Sequence, residues 1–308
     1  MKIVFMGNPE FAVPSLKKLA ASNHEILSVV TNPPKPAGRG RKLINTPVAK
    51  CAENLDLNVM EIDNLHSEKT IQNLQKLNAD VFTVVAYRIL PKEIIAIPAM
   101  GSINLHGSLL PKYRGAAPIQ WSLINGDSET GLTTFILQPK VDTGNVLQQK
   151  KIAIDQDDNY GSLAEKMSNA GAELLVETMD EFEKGNLNPY AQDDVKATTA
   201  RKISAEMTII NWQNSAQEIH NLIRGLTPSP GVRTLLSGKV LKIFETEFIK
   251  ENSVLEKGEI SIIEKDYFSI QTGAGQLIVS QVQLEGKRRM SAGDFLRGVQ
   301  LDVGTCLG

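Results

Sequence analysis

Apolar residues in the first half of the chain come in short dense runs, separated by longer segments with helical spacing. Residues 2–6 read as a buried strand stopped by Gly7-Asn8-Pro9, and a helical pattern through Phe11, Leu16 and Leu19 follows. Residues 25–31 form a second β-rich run. Helical character is expected over 46–54 and 68–77, and strands over 58–62, 80–87 and 101–106. Strands alternating with helices predict right-handed βαβ units around a mostly parallel, Rossmann-like sheet, whose ligand sites lie beyond the carboxyl ends of the strands. A long helix is expected from about 161 to 184, with apolar positions at Leu163, Met167, Ala170, Leu174, Met179 and Phe182.

The texture changes at residues 185–202, which contain Pro189, Asp193-Asp194 and little periodicity, and read as a linker. Beyond it a helix is expected over 215–224, then β-rich segments at 232–236, 240–248, 259–263, 268–271 and 276–284. Short strands at this spacing predict a small barrel or open Greek-key sheet, an OB-fold first in line. The division expected is a catalytic domain at 1–185, a linker at 186–204 and a second domain at 205–308.

Composition narrows the class only a little. The chain has 308 residues, 42% hydrophobic and 22% charged, with a formal net charge of −2. That is ordinary for a globular protein and announces no nucleic-acid binder, so any polyanion site must be a local patch. Cys51 and Cys306 stand far apart, which argues against a disulfide framework or structural zinc. The first residues run straight into a strand and the apolar runs are too short to span a bilayer, so a cytoplasmic chain with no membrane partner is expected. Gly7-Asn8-Pro9-Glu10 lacks the glycine spacing of a dinucleotide fingerprint.

The candidate chemistry sits in Ile103-Asn104-Leu105-His106-Gly107-Ser108-Leu109-Leu110-Pro111 and in Val141-Asp142-Thr143-Gly144. Asn104 and His106 stand two apart at a strand end and so share a face. An amide can donate to a developing oxyanion, and an imidazole can move a proton near neutral pH. Asp142 can orient that imidazole, raise its pKa or pass protons through water. Together these groups suit acyl transfer without a metal or a covalent nucleophile. Ser108, Leu109, Leu110 and Pro111 combine main-chain polar groups with apolar side chains, which suits a flat heteroaromatic ligand. Residues 32–43 hold Lys35, Arg39, Arg41 and Lys42 with no acidic residue, and Gly38 and Gly40 as joints. Such a loop can track phosphates and adapt to an RNA end, or be merely solvated. Lys287-Arg288-Arg289 reads better as a solvated turn than as an extension of that track.

Asn-x-His-x-Ser-Leu-Leu-Pro, then Arg114-Gly115-Ala116-Ala117-Pro118-Ile119-Gln120, then Asp142-Thr143-Gly144, resembles the 10-formyltetrahydrofolate-dependent formyltransferases. The likeness runs the length of the chain and is nearest to the members that act on methionyl initiator tRNA. It is carried by the start through Ala12, by 31–43, by Ile223-Arg224-Gly225-Leu226, and by Met290 through Gly298. The resemblance implies 10-formyltetrahydrofolate as formyl donor and no metal. It implies a monomer, catalysis by Asn104, His106 and Asp142, and tRNA binding by the second domain. It places the pterin beside Tyr87, Ile89, Leu90 and Ser108–Pro111, the methionine side chain against Phe11, and the tRNA on Lys35, Arg39, Arg41 and Lys42. The chain departs from the family pattern at Arg88, Lys140 and Ser229. A sugar-amine formyltransferase, a 10-formyltetrahydrofolate hydrolase and a non-catalytic RNA-binding protein stand as alternatives, each weakened by either the cationic loop or the Asn104–His106–Asp142 set.

Overall fold

The computed structural model describes residues 1–37 and 42–308. They divide into two compact units: residues 1–118, 130–153 and 164–200 form the first, and residues 119–129, 154–163 and 201–308 the second.

The first unit is built on a seven-stranded sheet. Its strands run in the order Val146–Ala153, Glu129–Ile136, Ser102–His106, Val81–Val85, Lys2–Gly7, Glu25–Thr31, Val59–Glu61. The five strands from Ser102–His106 to Val59–Glu61 are mutually parallel, as expected for βαβ units, and Glu129–Ile136 joins antiparallel to Ser102–His106. The chain starts in the middle strand, winds one way through Glu25–Thr31 and Val59–Glu61, then returns to Val81–Val85 on the other side. That reversal is a topological switch point, where a crevice opens at the carboxyl ends of the strands. Gly7 pairs with Val85 there. A Cβ on Gly7 would lie 3.0 Å from the Ala12 Cβ and 3.1 Å from the Val85 carbonyl oxygen, so the bare backbone lets the turn after the strand pack close. Val4, Met6, Val30, Phe82, Val84 and Ile94 form a core on this sheet, which accounts for the near-continuous apolar runs in the sequence.

Helices Val13–Ala20, Pro47–Asn54, Glu68–Lys76 and Tyr160–Glu183 fall where the spacing puts them. Pro47 at the first position and Thr46, whose hydroxyl accepts from the Ala49 N–H at 3.0 Å, start the second of these. The elements not foreseen include helices Pro118–Ile124, Lys92–Ile95 and Ala292–Gly298, the two-stranded ribbon Lys35–Ala37 with Lys42–Ile44, and the pairing of Arg114–Gly115 with Thr199–Ala200. Residues 186–200 lie on the first unit. Tyr190 bridges Val146, Asp194–Lys196 forms a 3-10 turn, and Ala200 accepts from the Ala117 N–H at 3.2 Å.

The second unit carries a six-stranded sheet in the order Val232–Leu236, Lys239–Ile249, Gln276–Leu284, Phe268–Gln271, Ile260–Ile263, with Met290–Ser291 also paired to Gln276–Leu284. Its five strand pairs are all antiparallel, in keeping with the sheet class expected. Helix Ala216–Leu226 opens on a capping box between Ser215 and Glu218, and its buried Ile219, Ile223 and Leu226 share one core with Phe268, Val279 and Phe295. Each such side chain contributes about 1.5–3 kcal/mol on burial. Among the described residues no helix is long and apolar enough to cross a membrane.

Candidate active site

Strand Ser102–His106 ends at the crevice, one strand from the switch point. Its period of two turns Ile103 and Leu105 to one face and Asn104 and His106 to the other. Asn104 pairs across with Val84 and Phe135, and His106 with Thr133. Asn104 is half-buried, and among the described residues its side-chain amide has no hydrogen-bond partner, so both N–H donors are available.

His106 is buried and fixed from two sides. Its ring meets Phe135 edge-on at 87°, with centroids 6.3 Å apart. Its Nε2 lies 2.9 Å from the Tyr113 carbonyl oxygen. A carbonyl only accepts, so Nε2 carries the proton and Nδ1 is the nitrogen free to gain or lose one. Nδ1 faces Asp142, whose Oδ2 stands 3.8 Å away. That is beyond a direct hydrogen bond. The Gly115 N–H donates to the same Oδ2 at 2.8 Å and holds the carboxylate in place. Two residues of this seat adopt left-handed backbone, Tyr113 at φ 59° and Asp142 at φ 52°. Each costs on the order of 1–3 kcal/mol, a form of strain that collects at functional sites. The expected set of Asn104, His106 and Asp142 is therefore brought together in space from two distant parts of the chain.

The Ser108–Pro111 segment satisfies much of its own backbone. Ser108 Oγ donates to the Lys112 carbonyl at 2.6 Å, Thr133 Oγ1 donates to the Ser108 carbonyl at 2.7 Å, and the Leu110 N–H donates to Thr133 Oγ1 at 3.1 Å. Gln149 Nε2 donates to the Leu110 carbonyl at 2.8 Å, and the Leu110–Pro111 peptide is cis. Ser108 and Leu110 are buried, while Leu109 and Pro111 keep partial exposure. What the segment offers outward is thus mainly apolar surface. Along the neighbouring strand end, Ile89 is 73% exposed, Tyr87 is half-buried, and Leu90 lies in the core with Val84 and Phe82.

Arg88, the departure nearest this crevice, is turned to the backbone. Its guanidinium donates to the carbonyls of Ile62 (2.5 Å) and Asp63 (2.6 Å) and to Tyr87 Oη (2.8 Å). It also lies 5.1 Å from the Tyr87 ring centroid. Burial pushes the Tyr87 phenol above its ordinary pKa, with Arg88 pulling against it. Phe11 lies in the 3-10 turn Glu10–Ala12, and its carbonyl accepts from Ser168 Oγ at 2.8 Å.

The basic loop is described at its roots. Asn8 Oδ1 accepts from Thr31 Oγ1 (3.1 Å) and from the Asn32 N–H (2.9 Å), and the Thr31 and Thr46 hydroxyls meet at 2.6 Å. This ties both ends of the segment to the Gly7-Asn8-Pro9 turn. Lys35 and Lys42 are exposed on the ribbon that rises from these roots. Arg39 and Arg41 lie outside the described residues. Among the described residues no three His, Cys, Asp or Glu side chains gather as they would around a metal ion.

A parallel α/β sheet with an amide, an imidazole and a carboxylate converging at its carboxyl ends, followed by an antiparallel β unit, defines an acyl-transferring enzyme of two domains. Comparison with known proteins makes this specific. Residues 1–179 match the formyl transferase family and residues 202–300 the formyl transferase C-terminal domain. The methionyl-tRNA formyltransferase of Pelotomaculum thermopropionicum is 42% identical over 310 residues, covering all of this chain and 99% of that protein. That of Caldanaerobacter subterraneus subsp. tengcongensis is 43% identical with both chains fully covered. The chain belongs to the formyl transferase family, among its methionyl-tRNA formyltransferases. An N-formyltransferase from Helicobacter canadensis, solved with folinic acid and dTDP-3-aminofucose, shares the fold at a TM-score of 0.69 and 19% identity, with 92% of this chain and all of that one covered.

Proposed function

We propose that this chain transfers the formyl group of 10-formyltetrahydrofolate to the α-amine of methionyl initiator tRNA. The methionyl nitrogen attacks the formyl carbon and forms the new C–N bond, leaving a tetrahedral intermediate with its charge on oxygen. The Asn104 amide, without a hydrogen-bond partner among the described residues, donates to that oxyanion. His106 Nδ1 accepts the proton released from the amine and passes it to the departing folate nitrogen as the old C–N bond breaks. Asp142, held by the Gly115 N–H, favours the imidazolium formed in between. The observation that carries this reading is the fixed tautomer of His106, which aims its one variable nitrogen at Asp142 on the same face as Asn104.

Leu109, Pro111, Tyr87 and Ile89 supply apolar surface for the pterin ring, and Phe11 lines the methionine side chain. Leu90 supports that surface from the core. Lys35, Arg39, Arg41 and Lys42 carry the tRNA phosphates. The protein works as a monomer in the cytoplasm, where charged initiator tRNA is used. Full-length relatives at 42–43% identity support the tRNA acceptor, whereas the neighbour solved with dTDP-3-aminofucose supports the fold alone. The test is formylation of purified methionyl-tRNA with 10-formyltetrahydrofolate, beside free methionine and an amino sugar. Formylation of the charged tRNA alone is expected. Formylation of the sugar without the tRNA would replace this acceptor.

A further inference from the structure

We propose that Gln192 is a positioning residue for the Asp142 carboxylate. It lies in an irregular segment after helix Tyr160–Glu183, half-buried between exposed Ala191 and Asp193. Its Nε2 donates to the Asp142 carbonyl at 3.0 Å and to the Gly144 carbonyl at 2.8 Å. Its Oε1 accepts from Arg114 Nε at 3.0 Å and from Arg114 Nη2 at 2.7 Å. A side-chain amide has two donors and two lone pairs, and here all four are used.

The two walls it joins are the two that form the carboxylate seat. One is the 142–144 turn that carries Asp142. The other is Arg114–Gly115, whose Gly115 N–H donates to Asp142 Oδ2 at 2.8 Å. Asp142 holds a left-handed backbone that persists only where its surroundings over-determine it, and Gln192 grips the carbonyl of that very residue. Arg114 is itself steadied by Asp194 Oδ1 at 2.7 Å. Asp142 Oδ2 stands 3.8 Å from His106 Nδ1 in this seat, and a misplacement of about 1 Å can cost on the order of 10²-fold in rate. Gln192 therefore sets turnover through Asp142 and touches neither substrate. This rests on the reading that Asp142 works with His106.

Gln192→Met removes all four bonds at similar volume. Gln192→Glu keeps the Oε1 that Arg114 grips but sets an oxygen that cannot donate against the Asp142 and Gly144 carbonyls, so it releases the 142–144 turn while Arg114 stays held. Both are expected to lower kcat about 10-fold or more, with KM for folate and for charged tRNA within about 2-fold. Combined with Asp142→Asn, Gln192→Glu is expected to add less than about 2-fold to the loss from Asp142→Asn alone. Near-wild-type kcat in Gln192→Glu overturns the proposal, as does full additivity in the double variant. Near-wild-type kcat in Asp142→Asn by itself overturns the catalytic reading of Asp142, and this role for Gln192 with it.

Discussion

At the scale of single residues, the site depends on groups that differ greatly in how they announce themselves. Asn104 and His106 stand two apart on a strand, and that period alone puts them on one face. Asp142 is marked by its loop context and the Asp-Thr-Gly signature. Gly115 falls within the Arg-Gly-Ala-Ala-Pro motif, but nothing local marks Tyr113 or Gln192, which act through a backbone carbonyl and a side-chain amide. Arg88, one of the departures from the family pattern, spends its donors on the carbonyls of Ile62 and Asp63. Gly115 gives a direct check at this scale. Its φ of 126° excludes ordinary side chains, and an added Cβ would sit 2.6 Å from the Ala200 carbonyl oxygen. Gly115→Ala is expected to push the 114–115 and 199–200 strands apart, move the N–H off Asp142, and lower kcat on the order of 10²-fold. Steady-state kinetics at unchanged far-UV circular dichroism would show it, and wild-type kcat would mean this N–H does not hold the carboxylate.

At the scale of elements, Lys2–Gly7 and Val81–Val85 are legible because burial on both faces makes them almost continuously apolar. Glu25–Thr31, Phe268–Gln271 and Gln276–Leu284 fall at the bounds the pattern gives. The ribbon Lys35–Ala37 with Lys42–Ile44 has no such signal, since its Lys35, Lys42, Leu43 and Ile44 are exposed. Helix Pro118–Ile124 is only two turns long, too short for periodicity to register. Helix Ala216–Leu226 carries a pH-sensitive group. Burial, reinforced by the Arg224 charge, lowers the His220 pKa to about 4, against the opposing hydrogen bond at Thr246. The folded form therefore prefers neutral His220, while the unfolded chain takes up a proton below about 6.5. Stability from this group is full above that pH and is lost as pH falls toward 4. We expect the wild type to lose about 1–3 kcal/mol more than His220→Gln between pH 7 and 4, by denaturant titration of each. Parallel pH curves for the two would show that His220 is not desolvated in the fold.

At the scale of the whole molecule, the alternation of strands and helices, then the shift to short strands, is enough to foretell an α/β unit followed by an antiparallel one. The composition break at 185–202 does not reveal that residues 186–200 return to the first unit, nor that residues 119–129 and 154–163 group with the second. Those memberships are decided by packing between segments far apart in sequence, which periodicity does not encode. A net charge of −2 likewise says nothing of where the cations lie; the concentration of four in residues 32–43 does. In the proposed reaction Asn104 and His106 carry formyl transfer while binding is supplied elsewhere. The most direct measurement is single-turnover formylation of methionyl-tRNA by Asn104→Ala and His106→Ala, with folate affinity measured on the same preparations. Each variant should lose on the order of 10²-fold or more in the transfer rate and keep its folate affinity within a few-fold. A transfer rate near wild type in either variant would contradict the account.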